Sequence, residues 1–419
     1  MQEMYDKVIN SYPVGYQIDS RLIKKDMIFF AIKGEKVDGH DFLDEVFEKG
    51  AKFAIVDKTF NNIDDDRLIR VDDVLVFLQG LATYAIKKFK GKIIGVTGSY
   101  GKTSVKEYLS AILSCRFKVS KSEKNYNSQR GLPIAILNMD KNVDFLILEM
   151  GMDKKGEIEN LVKIAPPNIA LVTKIALFQE EFKSLDEVSQ AKAEIFSSSK
   201  LEMGLINHEL LEFDVFKNRG FFSFSIKDKN GFYYLDAQEG FFYENSNKTK
   251  IKLPFFETHL LENLLAALAV GRYLGIEIKD MEKKFSFLKN EKLRFEKVYL
   301  NDCLFIKDCY NANPQTMIDA LENLGSVEGE KIAILGSMSH IKIDKEKQHK
   351  RVIEVAKKRV DRIFLIGKEW EKSDGVIIFE DLKSLACNLE KYIKKNNLIF
   401  IKGPRAFEME KIFDFLNCE

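Results

Sequence analysis

The stretch Gly95-Val96-Thr97-Gly98-Ser99-Tyr100-Gly101-Lys102-Thr103 decides how this chain is read. The run Lys92 to Val96 before it reads as a buried strand. After it, Val105, Leu109, Ile112 and Leu113 recur at helical spacing in the run Ser104 to Ser114. Glycines between a strand and a helix let backbone N–H groups turn inward onto phosphate oxygens, and the helix N-terminus adds unpaired donors and a positive end. In that setting Lys102 reaches the β- and γ-phosphates and the Thr103 hydroxyl offers a ligand to Mg²⁺. Thr97, Gly98, Ser99, Tyr100, Gly101, Lys102, Thr103 and Ser104 are therefore the candidate cradle for ATP. The spacing departs from GxxxxGK[ST], with Gly98 making a TGxxGKT pattern instead.

Outward from this loop, 419 residues suggest two to three domains. With 45% hydrophobic and 31% charged residues, the chain can bury a sizeable core and stay in solution. Lys+Arg 65 against Asp+Glu 64 gives no global charge to attract nucleic acid or an anionic membrane. The cysteines Cys115, Cys303, Cys309, Cys387 and Cys418 form no CxxC pair and fit reduced thiols of a cytoplasmic protein. MQEMYDKVIN lacks the basic-then-apolar layout of a signal peptide, and no apolar run nears the ~20 residues of a membrane span.

The expected fold class is α/β in three domains. Residues 1–88 read as a small α/β unit, with strands at 27–32 and 52–56 and helices at 41–49 and 74–88. Residues 89–293 alternate strands (92–97, 144–149, 168–173) with helices (103–114, 156–164, 185–199), as a parallel sheet requires. FFSFSI, GFYYL and GFFYE within 220–254 read as antiparallel hairpins, closed by a helix from His259 to Leu274. Residues 294–419 read as a Rossmann-like series. Its strands fall at 303–307, 331–336, 362–366 and 398–402, its helices at 314–324, 345–359, 381–395 and 405–416.

Glu149 ends the apolar run Phe145 to Leu148, where an acidic strand end next to a phosphate loop can hold Mg²⁺. The bland alternative is a solvated carboxylate. The loop Asn125 to Pro133 gathers amides and a hydroxyl suited to a second substrate. Lys192, within Ser189 to Phe196, is by itself a solvent-facing helical lysine.

IIGVTGSYGKTSVKEYL, the NYNSQRGLP loop, LEMG, AKAEIF, HLLENLLAALA, DCYNANP and IKGPR, taken together, resemble the ordered motifs of the Mur ligases. These are ATP-dependent amide-forming enzymes of bacterial cell-wall synthesis. The run Ile18 to Val56 is similar to their UDP-sugar-binding domain, so the resemblance spans essentially the whole chain. DCYNANPQTM looks most like the branch that adds D-alanyl-D-alanine to UDP-N-acetylmuramoyl-tripeptide through an acyl phosphate.

The resemblance implies roles by position. Lys102 and Thr103 match the phosphate-loop lysine and metal-binding hydroxyl, and Glu149 the Mg²⁺-binding glutamate. Lys192 matches a lysine that the family carbamylates to hold a second Mg²⁺. Asn263 matches the adenine-contacting asparagine, and Arg294 and Asp308 match residues over the phosphates and ribose. Ser20 and Arg21 fall where the UDP moiety binds, and Asn127 and Ser128 where the sugar–peptide binds. Asn311 and Asn313 are candidates for the dipeptide site. A monomer is expected, with small-molecule substrates and no nucleic-acid partner.

Three departures stand out. Lys174-Ile175-Ala176-Leu177-Phe178-Gln179 lacks the family's histidine, with Gln179 near its place, so the second metal is in question. Tyr100 replaces the usual asparagine of the phosphate loop. Gly336-Ser337-Met338-Ser339-His340 lacks an acidic residue often found there. The other histidines, His40, His208, His340 and His349, read as structural or surface residues. The alternatives are another Mur-type ligase (tripeptide-forming or folylpolyglutamate-like), against which the absence of D-N-P-R and the presence of Asn311 and Asn313 count, or a degenerate ATP-binding scaffold.

Overall fold

The computed structural model describes residues 1–34, 36–61, 65–123, 126–177, 181–288, 292–338, 341 and 344–416. Asn125, Phe178, Gln179, Ser339, His340 and Cys418 thus lie outside the described residues. The chain divides into two compact units. The first comprises Met1–Ile175, Asp186–Phe224 and Ala266–Met281, and the second Ala176–Leu185, Ser225–Leu265 and Glu282–Glu419.

The first unit holds two sheets. Strands β1 (Gly15–Gln17), β2 (Met27–Phe30), β3 (Phe53–Asp57) and β4 (Leu68–Val71) pair in parallel in that order. The helix Val74–Lys88 follows, started by the Asp73 carboxylate accepting from the Val76 N–H. Asn138 ties β1 to the helix Gly131–Asn138: its Oδ1 accepts from Tyr16 N–H and its Nδ2 donates to Tyr16 O, both over 2.9 Å.

The larger sheet uses β5 (Lys92–Thr97), β6 (Val119–Lys121), β7 (Phe145–Glu149), β8 (Ile169–Val172), β9 (Met203–Asn207) and β10 (Phe222–Ser225). Their order is β10-β9-β8-β5-β7-β6, all parallel. Strand β5 therefore sits inside the sheet with Ile94, Gly95 and Val96 buried, and it delivers the glycine loop to the carboxyl edge, where ligands of such sheets bind. The FFSFSI run also has a partner that the hairpin reading did not include: β10 pairs in parallel with β9. Short apolar runs do not distinguish the two pairings, because both bury alternate or successive residues alike.

In the second unit β11 (Tyr233–Asp236), β12 (Phe241–Glu244) and β13 (Asn247–Lys250) form the expected antiparallel meander. The C-terminal sheet contains β14 (Glu296–Leu300), β15 (Cys303–Asp308), β16 (Lys331–Gly336), β17 (Arg362–Ile366), β18 (Val376–Phe379) and β19 (Leu398–Lys402). Its order is β14-β15-β19-β16-β17-β18, parallel except for β14. Met317, Leu321, Val352 and Ala356 pack helices 314–322 and 345–359 on one face, while Leu385, Leu389, Met409 and Ile412 cover the other. The expected helix at 405–416 is interrupted: Glu408 takes φ +44° between two 3-10 turns, leaving only Ile412–Leu416 α-helical.

Candidate active site

The phosphate loop is held open by backbone geometry that only glycine takes easily. Gly98 has φ +147° and Gly101 φ +86°. Thr173, at the end of β8, braces the loop, its hydroxyl donating to Tyr100 O over 2.6 Å, and Ser99 N–H donates to Lys174 O over 2.6 Å. The Lys102 ammonium folds back onto the loop, donating to Gly98 O over 2.7 Å and Ser99 O over 3.2 Å. Those carbonyls hold it where an incoming phosphate would replace them. Thr97 Oγ1 is buried with no hydrogen-bond partner among the described residues. Ser104 lies in the first turn of the helix Lys102–Leu113, whose N-cap is Gly101.

Beside the loop, Thr103 Oγ1 donates to Glu149 Oε2 over 3.0 Å, and Asn127 Nδ2 donates to Glu149 Oε1 over 2.7 Å. Glu149 is 2% exposed, so it is no solvated strand end. A buried hydroxyl and carboxylate side by side are hard oxygen donors of the kind Mg²⁺ takes, which would there draw charge from a phosphoryl oxygen. Lys192 is 1% exposed, which overturns its reading as a solvent-facing helical lysine. Burial pushes its amine well below the usual lysine range, and Lys102 adds to the fall while Asp153, Glu194 and Glu149 oppose it. A neutral amine is the form that can react with CO₂. As an amine, Lys192 offers a divalent ion no oxygen. No cluster of three or more His, Cys, Asp or Glu side chains suited to a metal occurs among the described residues.

The remaining first-unit residues of the candidate set are less tightly joined. Ser128 Oγ accepts from Gly131 N–H, the first of the helix Gly131–Asn138, over 3.2 Å. Ser20 and Arg21 stand apart, in the 3-10 turn after β1: Ser20 Oγ donates to Glu45 Oε2 over 3.3 Å, and Arg21, 83% exposed, forks onto Asp19.

The second unit carries a separate constellation at the carboxyl ends of β15 and β19. Asp308 pairs with the buried Lys402 ammonium, which also donates to Asn311 O over 3.2 Å. The Arg294 guanidinium lies 4.1 Å from the centre of the Tyr310 ring. Asn263 lies on the helix Thr258–Tyr273, half-buried. His259, one turn earlier, is pushed down to about 4 by burial, and its Nδ1 has no hydrogen-bond partner among the described residues. Asn311 Oδ1 accepts from Ala312 N–H over 2.8 Å. Asn313 makes a capping box with Thr316 at the start of the helix Pro314–Glu322.

Sequence reasoning passed over Lys106, Thr173, His259 and Lys402. HLLENLLAALA and IKGPR contain two of them, and the signal for Thr173 is its place at the end of a strand. Lys106 carried no sequence signal beyond being four residues after Lys102.

Phosphate loop, inner carboxylate and buried lysine on a parallel sheet define a nucleotide-dependent enzyme of the phosphate-loop class. Family models match in three places: the Mur ligase middle domain over 96–271, the Mur ligase glutamate ligase domain over 293–405, and the Mur ligase family catalytic domain over 14–84. The chain belongs to the Mur ligase family, whose members are ATP-dependent, ADP-forming ligases. It is 31% identical to the UDP-N-acetylmuramoyl-tripeptide–D-alanyl-D-alanine ligase of Bacillus subtilis, covering 95% of this chain and 92% of that one. It is likewise 31% identical to the ligase of the same name from Rickettsia prowazekii, covering 95% and 94%. The MurF ligase from Thermotoga maritima, solved in complex with ADP, superposes with a TM-score of 0.81 at 28% identity over 96% of both chains. Among the described residues no helix is long and apolar enough to cross a membrane.

Proposed function

We infer that this chain joins D-alanyl-D-alanine to UDP-N-acetylmuramoyl-tripeptide in peptidoglycan precursor synthesis, consuming ATP with Mg²⁺ and releasing ADP and phosphate. The observation that carries this is the Lys102, Thr103, Glu149 and Lys192 cluster, in a chain whose relatives of that name match it over 95% of its length.

Forming an amide from a free carboxylate is uphill in water, so the acid must first be activated. The tripeptide carboxylate attacks the γ-phosphorus, the bond to ADP breaks, and an acyl phosphate forms. The dipeptide amine then attacks the acyl carbon, and phosphate leaves with its bonding pair as the amine loses a proton. Lys102 and the N-terminus of its helix neutralise charge building on the transferred group. Thr103 and Glu149 are the residues proposed to hold Mg²⁺, and Lys192, as its carbamate, a second ion. Asn263, Arg294 and Asp308 are proposed for the adenine, phosphate and ribose contacts, Ser20 and Arg21 for the UDP moiety, Asn127 and Ser128 for the sugar–peptide, and Asn311 and Asn313 for the dipeptide.

The proposed division is a UDP-sugar-binding domain over 1–88, an ATP-binding domain over 89–293 and a Rossmann-like domain over 294–419. A cytoplasmic monomer acting on small molecules and not on nucleic acid fits the balanced charge of the chain. An ATP-dependent phosphate-release assay across candidate amines tests the substrate: D-alanyl-D-alanine is expected to give the highest rate. A higher rate with L-lysine, diaminopimelate or glutamate would transfer the chain to another branch of the family.

A further inference from the structure

Lys106 is fully buried on the helix of the phosphate loop. Its ammonium lies 3.9 Å from Glu149 Oε2 and 3.8 Å from Glu107 Oε1, and Glu107 is paired in turn with Lys121. Phosphate binding at the loop calls on Lys102, not on this cation. A carboxylate buried as deeply as Glu149 is unfavourable without a counter-charge, and Lys106 supplies one from inside the protein. Both Glu149 oxygens also accept hydrogen bonds already, from Thr103 and Asn127.

We propose that Lys106 is the internal counter-ion of Glu149 and thereby sets the order of entry at the site. In the nucleotide-free protein it balances the carboxylate, so a free divalent cation meets the Lys102 and Lys106 ammonium groups beside a carboxylate that is already neutralised. A nucleotide brings several negative charges with its metal and outweighs that repulsion. The metal therefore enters as its nucleotide complex. Lys106 acts through Glu149 and is a positioning residue, and the inference rests on the reading of Thr103 and Glu149 as the metal-binding pair.

Electron paramagnetic resonance of Mn²⁺ on the full chain, with and without ADP, tests this. Lys106→Gln is expected to bind nucleotide-free Mn²⁺ about tenfold more tightly than wild type. Lys106→Arg, which keeps the charge, is expected to follow wild type. An unchanged or weakened nucleotide-free affinity in Lys106→Gln overturns the proposal, as does an equal shift in Lys106→Arg. Failure of wild type to bind Mn²⁺ even with ADP would instead overturn the metal-site reading beneath it. Should the single variants unfold, thermal melts settle the pairing. Lys106→Met is expected to cost most of its stability in wild type and little in a Glu149→Gln background, and equal losses in both backgrounds contradict it.

Discussion

Thr173 Oγ1 occupies the space that a side chain at Gly98 would need: a Cβ there would stand 1.9 Å from it, at a backbone φ of +147°. The same hydroxyl donates to Tyr100 O, so the brace of the phosphate loop and the requirement for glycine are one arrangement.

Gly98→Ala is accordingly expected to lose nucleotide affinity by more than about tenfold and stability by about 2 kcal/mol. Calorimetric titration with ADP and Mg²⁺, beside a urea melt, measures both. Wild-type affinity in this variant would show that the loop can be built another way.

The buried Lys192 makes a pH-dependent contribution of definite sign. Its folded-state pKa is depressed, so across the window between that value and the ordinary 10.5 the unfolded chain binds the extra proton. Stability therefore rises with pH through this window and falls as pH drops through the folded value, by at most about 1.4 kcal/mol per pH unit. In CO₂-free buffer Lys192→Met is expected to flatten that slope while abolishing ligation. Urea melts at a series of alkaline pH values read the slope directly, and an unaltered slope would contradict it.

His259 gives the acid-side counterpart. With its pKa pushed down to about 4, the unfolded state takes the proton first as pH falls from 6.5. About 3 kcal/mol of stability is expected to disappear between pH 6.5 and 4 on account of this ring. His259→Gln should remove most of that dependence in melts at pH 7 and 4.5.

Much of this was legible in the residues. The helix at Val74–Lys88 and the strands at Lys92–Thr97, Lys331–Gly336, Arg362–Ile366 and Leu398–Lys402 fall where apolar periodicity put them, because they are long or fully buried. Strands such as Leu68–Val71 and Val119–Lys121 carry too few residues to show a period, and sheet edges such as Val376–Phe379 gain their identity from a partner strand. The phosphate loop was readable because its chemistry is local. Lys106 and the burial of Lys192 were not, since burial depends on what packs over a helix and not on the helix itself.

Asn313 separates a structural role from a substrate role. Its Oδ1 accepts from Thr316 N–H over 2.9 Å, so Asn313→Ala is expected to cost about 1 kcal/mol of stability. Asn313→Ser restores the cap. Melting curves of both variants, with KM for D-alanyl-D-alanine measured in the serine variant, show what the amide adds beyond capping. A KM raised in a fully stable Asn313→Ser protein is the outcome expected of a dipeptide-site residue.

Lys102 is proposed to grip a triphosphate whose γ-phosphoryl group activates a carboxylate for amide formation. Mass spectrometry of the products from ATP, Mg²⁺, UDP-N-acetylmuramoyl-tripeptide and D-alanyl-D-alanine tests it most directly. The expected products are a nucleotide sugar heavier by one dipeptide less water, with one ADP and one phosphate per amide, and none of these from Lys102→Ala. An unmodified nucleotide sugar after incubation with the folded wild-type chain would contradict it.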